Sequence, residues 1–131
     1  MPRILMTGAS GEIGTRLRKL LPPSYPDLML SDVKTPADLA SGEKFKAADL
    51  ADLAQVEAIC EGIDGILYFG GFSVEGPWDT ILQSNIIGCY NLFEAARKKG
   101  VKRIVFASSN HAVGFYPRHH RIGTGVTVPM R

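Results

Sequence analysis

Residues 7–14 read Thr-Gly-Ala-Ser-Gly-Glu-Ile-Gly and join a short apolar run at 3–7 to a segment with helical spacing. This octapeptide constrains the fold more than any other stretch. Glycine at position 8 permits a tight turn, and glycine at 11 lets the backbone approach a pyrophosphate with no Cβ in the way. Glycine at 14 allows close helix–strand packing. The N-terminus of the following helix then offers free amides and a partial positive charge to an anion. Glycines alone are weak evidence, since turns collect them. Their place between a strand and a helix, at the start of a βαβ unit, gives them meaning.

The remaining pattern alternates strand and helix. The spacing predicts a helix over 12–21 with Ile13, Leu17, Leu20 and Leu21 on its apolar side, stopped by Pro22-Pro23. A second strand, Leu28–Ser31, ends at Asp32; residues 34–44 are polar and irregular, and 44–48 read as a short third strand. Asp52 suits the cap of a helix running to about residue 61. A fourth strand is expected at 65–69, a long helix at 78–99 interrupted only by Gly88, and a fifth strand at 102–107. Short apolar strands separated by helices indicate an α/β fold, a Rossmann-like doubly wound parallel sheet with right-handed crossovers. The cluster Arg97, Lys98, Lys99, Lys102 and Arg103 reads as cations complementing a helix C-terminus, with an anion or partner site as the alternative.

Asp32 lies 18 residues beyond Gly14, at the end of the second strand. There a carboxylate can accept from both hydroxyls of an adenosine ribose and repel a 2′-phosphate, which favours NAD over NADP. Lys34 nearby keeps NADP open, and an ordinary loop aspartate is the plain alternative.

Composition excludes more than it identifies. The 131 residues suffice for one domain with its own core. A net charge of +2 gives no argument for nucleic acid. No run approaches the roughly 18 apolar residues of a membrane helix, and no leader is expected ahead of the first motif, so a cytoplasmic location without a membrane partner is the expectation. Cys60 and Cys89 lack metal-ligand spacing and are expected to be buried free thiols; no metal site is expected.

The TGASGEIG turn, Asp32, the Asp49-Leu50 pair and Asn85 together resemble the extended short-chain dehydrogenase/reductases, the NAD-dependent epimerase/dehydratase group. Two further stretches, 70–78 with 85–97 and 104–117, are similar to uronate dehydrogenases, which oxidise C1 of a hexuronic acid to its lactone with NAD. The resemblance covers nearly the whole chain; 34–46 and the last dozen residues are its least informative parts. It implies backbone contacts from Glu12 and Ile13 to the pyrophosphate, with Asp32 and Val33 bracketing the ribose. Asp49 and Leu50 would hold the adenine, and Phe69, Gly70 and Gly71 would lie along the cofactor. Asn85 would buttress the site from the long helix; a polar residue near a helix irregularity is its alternative. Ser73, Ser109, Asn110 and His111 would contact the sugar acid, with Ser109 at the position of the family's catalytic serine. Ser108 would support the strand end, and His119 and His120 read as exposed loop residues.

The family's base, a tyrosine in Tyr-x-x-x-Lys, has no counterpart here: Tyr25, Tyr68, Tyr90 and Tyr116 are followed four residues on by Met29, Phe72, Glu94 and His120. The expectation is therefore an incomplete NAD-binding domain spanning 1–131, without the substrate domain and inactive toward a uronic acid by itself. A nucleotide-sugar epimerase or dehydratase and a non-catalytic dinucleotide-binding module are the alternatives. Small-molecule binding is expected, and homo-oligomerisation stays open.

Overall fold

A computed structural model describes residues 1–109 and residue 111. Its strands are β1 Ile4–Thr7, β2 Leu28–Ser31, β3 Lys44–Phe45, β4 Gly65–Tyr68 and β5 Arg103–Phe106. All pairings are parallel, in the order β3-β2-β1-β4-β5. Winding runs outward in both directions from β1 and β4, which makes this the Rossmann-like doubly wound sheet expected from the alternation. Ligands of such sheets bind beyond the carboxyl ends of the strands where the order reverses. Only Lys44 and Phe45 form β3 proper, although the amides of Lys46 and Ala48 still donate to the carbonyls of Leu30 (2.9 Å) and Asp32 (3.0 Å).

One face of the sheet, through Leu5, Ile66 and Tyr68, packs on α2 Leu53–Ile59 and on α4 Gly88–Lys99. The other face, through Met6 and Leu30, packs on Leu17 and Leu21 around α1 Glu12–Leu20. The expected apolar side of α1 needs correction: Ile13 is 52% exposed and Leu20 69%, whereas Gly14 and Arg18 are buried. The reason is Gly14. A Cβ there would come within 2.8 Å of the Ala9 backbone, so this residue faces inward and fixes the rotation of the helix. Positions 14, 17, 18 and 21 then share the buried side at i, i+3, i+4 and i+7. Arg18 is tolerated there because Glu43 and Asp38 meet its guanidinium.

The single helix expected over 78–99 is also revised. It comprises α3 Trp78–Ile81, a π-helical segment Leu82–Ile87 and α4. Gly88 is buried, and a Cβ there would lie 2.9 Å from Leu50 Cβ, so the glycine serves a close approach. At the C-terminus Gly100 adopts φ +71°, the left-handed cap that ends many helices. The last-turn cations also find carboxylates: Lys98 pairs with Glu57 (2.7 Å), Lys99 with Glu61 (2.6 Å) and Arg97 with Glu94 (2.8 Å). The first fastens α4 to α2 across the surface, and the second ties α4 to the turn just after α2.

Asp52 caps α2 as expected, accepting from the Gln55 amide at 3.1 Å. Asp52→Ala is expected to destabilise the fold by about 1 kcal/mol in urea unfolding, and an unchanged midpoint would refute the cap's role. Of the two free cysteines only Cys60 is buried; Cys89 is half-buried, because it lies at the margin of the α4 interface. Burial pushes the Cys60 thiol up to about 11, which leaves it unreactive.

Candidate functional site

β1 and β4 end side by side, and the turns leaving β1, β2, β3 and β4 enclose a cleft of about 190 Å³. Thr7 and Gly8 form its floor, with Asp32 and Val33 on one side. Asp49 and Leu50 form a second wall, Gly70 to Phe72 a third, and Ser84 reaches in from the π segment.

The glycine turn makes that floor thin. Gly8 has φ +72°, and a Cβ there would lie 2.7 Å from the Gly70 nitrogen. Gly70 in turn leaves room that a Cβ would fill, 2.7 Å from Leu50 Cδ1. Thr7 Oγ1 accepts from the Gly70 amide (3.3 Å) and holds the two strand ends together. Gly11 is the N-cap of α1 and offers no side-chain bond to the first turn, so the orphan amides there are free for an anion. Glu12 and Ile13 open that turn, and the Glu12 carboxylate lies along the helix against Arg16 (3.0 Å).

Asp32 is tied in by two backbone amides: Ser10 donates to Oδ2 (2.9 Å) and Val33 to Oδ1 (2.8 Å). These bonds orient the carboxylate, and each oxygen retains a second acceptor position. Asp49 is held similarly. Its Oδ1 accepts from Ala51 (2.9 Å) and its amide donates to Gln55 Oε1 (2.9 Å), while Gln55 Nε2 donates to Asp52 (2.9 Å). The α2 cap thus also orients the wall of the cleft.

Gly8, Asp32, Val33, Asp49, Leu50, Gly70 and Gly71 therefore converge on one cleft, with Gly11, Glu12, Ile13 and Gly14 at the adjoining helix start. Phe69 packs instead among the Met6 and Leu30 core residues. Asn85 stands behind the wall, its amide bonded to both backbone groups of Phe72. Ser73 is exposed on the loop beyond Phe72. Ser109 and His111 bond one another, Oγ to Nδ1 at 3.0 Å, and the His111 amide donates to Ser109 Oγ (3.1 Å). Asn110, His119 and His120 lie outside the described residues.

Thr7, Ser84, Gln55 and Asn91 escaped the sequence reading. Asn91 carried a usable signal: a polar residue beside Leu92, Ala95 and Ala96, on the stripe that proves buried. Tyr68 is 2% exposed, and burial pushes its phenol up to about 12, the wrong direction for a base at neutral pH. Among the described residues no helix is long and apolar enough to cross a membrane, and no group of three His, Cys, Asp or Glu could hold a metal ion.

The sequence pattern of the NAD dependent epimerase/dehydratase family matches residues 4–129. The chain belongs to that family. Within this epimerase/dehydratase family it is 48% identical over 126 residues to a uronate dehydrogenase of Agrobacterium fabrum, covering 96% of this chain and 48% of that protein. A uronate dehydrogenase of Pseudomonas syringae pv. tomato is 47% identical over 121 residues, 92% of this chain and 44% of the relative. The fold also matches a crystal structure of a mutant uronate dehydrogenase from Agrobacterium tumefaciens complexed with NAD, with a TM-score of 0.86 and 47% identity over 98% of this chain and 49% of that one. The chain spans about half the length of the curated relatives it matches.

Proposed function

We propose that this chain binds NAD in the cleft and forms the cofactor-binding part of a uronate dehydrogenase, which oxidises a hexuronic acid at C1 to its lactone. One observation carries the reading: Asp32 and the Asp49–Leu50 wall line a single cleft whose floor at Gly8 and Gly70 has no room for a Cβ, and the uncapped start of α1 follows directly from that floor. The residues fit the dinucleotide. The amides of the first α1 turn receive the pyrophosphate, and Asp32, already oriented by Ser10 and Val33, accepts from the ribose hydroxyls. Asp49, whose second oxygen keeps its acceptor capacity, takes the adenine amino group. NAD, when bound, supplies the hydride acceptor. On the substrate side, Ser73, Ser109, Asn110 and His111 supply hydrogen bonds for the sugar acid, with Ser109 donating to the oxygen that loses its proton. The base that takes that proton has no Tyr-x-x-x-Lys candidate among the 131 residues.

A thermal-shift titration tests the cofactor assignment. NAD at about a hundred times its Kd is expected to stabilise the fold by about 2.7 kcal/mol, with no shift from NADP at the same concentration. Equal shifts would remove Asp32 from the ribose site, and no shift with either would remove the cofactor.

A further inference from the structure

Asp49 is fixed by the helix that follows it. Its carbonyl accepts from the Asp52 amide (3.0 Å), its Oδ1 accepts from the Ala51 amide (2.9 Å), and its own amide donates to Gln55 Oε1 (2.9 Å). Gln55 is the third residue of α2, a position whose side chain ordinarily reaches back to the amide of the cap residue. Here the Asp49 carbonyl already takes the cap amide, and Gln55 reaches further back, to Asp49 itself. Leu50 has a separate tether, because Asn91 of α4 donates to its carbonyl (2.9 Å). A change at Gln55 therefore falls on Asp49.

The two ends of the Gln55 amide meet opposite partners. Oε1 faces an N–H donor, while Nε2 donates to Asp52 Oδ2 at 2.9 Å. A primary amide supplies an acceptor on one side and donors on the other, so it fits between a backbone amide and a carboxylate. Glutamate, which also suits this position of a capped helix, would set a second carboxylate against Asp52. Methionine has a similar shape and neither bond. Gln55 lies outside the cleft, whereas Asp49 lines it. Its side chain thus acts on what Asp49 presents to a ligand.

We propose that Gln55 is a positioning residue that sets the base specificity of the cleft. By fixing the Asp49 backbone it aims the carboxylate at the exocyclic amino group of adenine, so the site takes a purine with that amino group and rejects one with a carbonyl in its place. A carboxylate accepts from an amino group and repels a carbonyl oxygen. The discrimination holds only while the carboxylate stays at that edge of the base. An Asp49 released to swing loses the bond to the amino group and also moves clear of the carbonyl. The proposal rests on the NAD-binding reading above, with Asp49 at the adenine.

Calorimetric titration with NAD and with nicotinamide hypoxanthine dinucleotide, which carries a carbonyl in place of the adenine amino group, measures the discrimination. The wild-type chain is expected to bind NAD about tenfold more tightly. Gln55→Met and Gln55→Glu are each expected to bring the two ligands within about threefold, chiefly by weakening NAD. Gln55 is exposed and both replacements are good helix formers, so both variants are expected to keep the wild-type fold. General loosening would weaken the two dinucleotides by the same factor, so the ratio is the readout that a merely structural role does not move. A ratio that stays near tenfold in either variant overturns the positioning role alone. Equal binding of the two ligands by the wild-type chain removes Asp49 from the adenine and the specificity role with it. A wild-type chain that binds neither overturns the cofactor reading itself.

Discussion

Gly8→Ala is expected to destabilise the chain by about 3 kcal/mol and to abolish its stabilisation by NAD. Two costs add. The backbone at Gly8 has φ +72°, where a Cβ crowds the following carbonyl and costs about 1 to 2 kcal/mol. The same Cβ would lie 2.7 Å from the Gly70 nitrogen, and backbone cannot rotate away as a side chain can. The end of β4 would have to part from β1, opening the floor of the cleft where Thr7 holds Gly70. Gly100 supplies the control, since its φ is +71° and nothing lies within 4 Å of its Cβ position. Gly100→Ala therefore bears only the conformational strain, about 1 kcal/mol. Urea unfolding with and without NAD measures both effects. Equal losses in the two variants would mean that the turn is not packed against β4.

Arg18→Ala is expected to destabilise the fold by about 3 kcal/mol at neutral pH, by stranding a partly buried carboxylate. The Arg18 side chain is 4% exposed; Nε and Nη2 reach the two Glu43 oxygens at 2.8 and 2.6 Å, and Nη1 reaches Asp38 at 2.8 Å. Asp38 is more than half exposed and rehydrates easily, so Glu43, at 19%, bears most of the loss. The pairing also locks the 34–43 segment, which follows Asp32, onto α1.

Acid tests the same interaction. The Arg18 guanidinium holds the Glu43 carboxyl below its ordinary value of 4.5, with burial opposing and the Ala40 amide assisting. A lowered acid contributes stability that is complete above its unfolded value and is lost as pH falls through its folded value. The gap between wild type and Arg18→Ala should therefore be constant near neutrality and shrink below about pH 4.5. A gap under about 1 kcal/mol, or one unchanged down to about pH 3, would make this an ordinary surface pair.

The parts of this protein that could be read directly from the chain are those whose cause lies within a few residues. The turn at Gly8, Gly11 and Gly14, the Asp52 cap and the alternation of strands with helices all follow from local backbone geometry, and the fold follows from their order. The family resemblance then pointed to Asp32, Asp49 and Gly70, which meet in one cleft. What the chain concealed depends on partners far away in sequence. Arg18, absent from the expected apolar side of α1, is buried because residues 20 and 25 positions away close over it. Asn91 finds its acceptor 41 residues back; Asn85, which the resemblance did name as a buttress, reaches Phe72 from a π turn that no periodicity announces. Polar side chains near a helix irregularity look alike in sequence. Whether each is solvated or bonded depends on which backbone groups the folded sheet brings within about 3 Å of it.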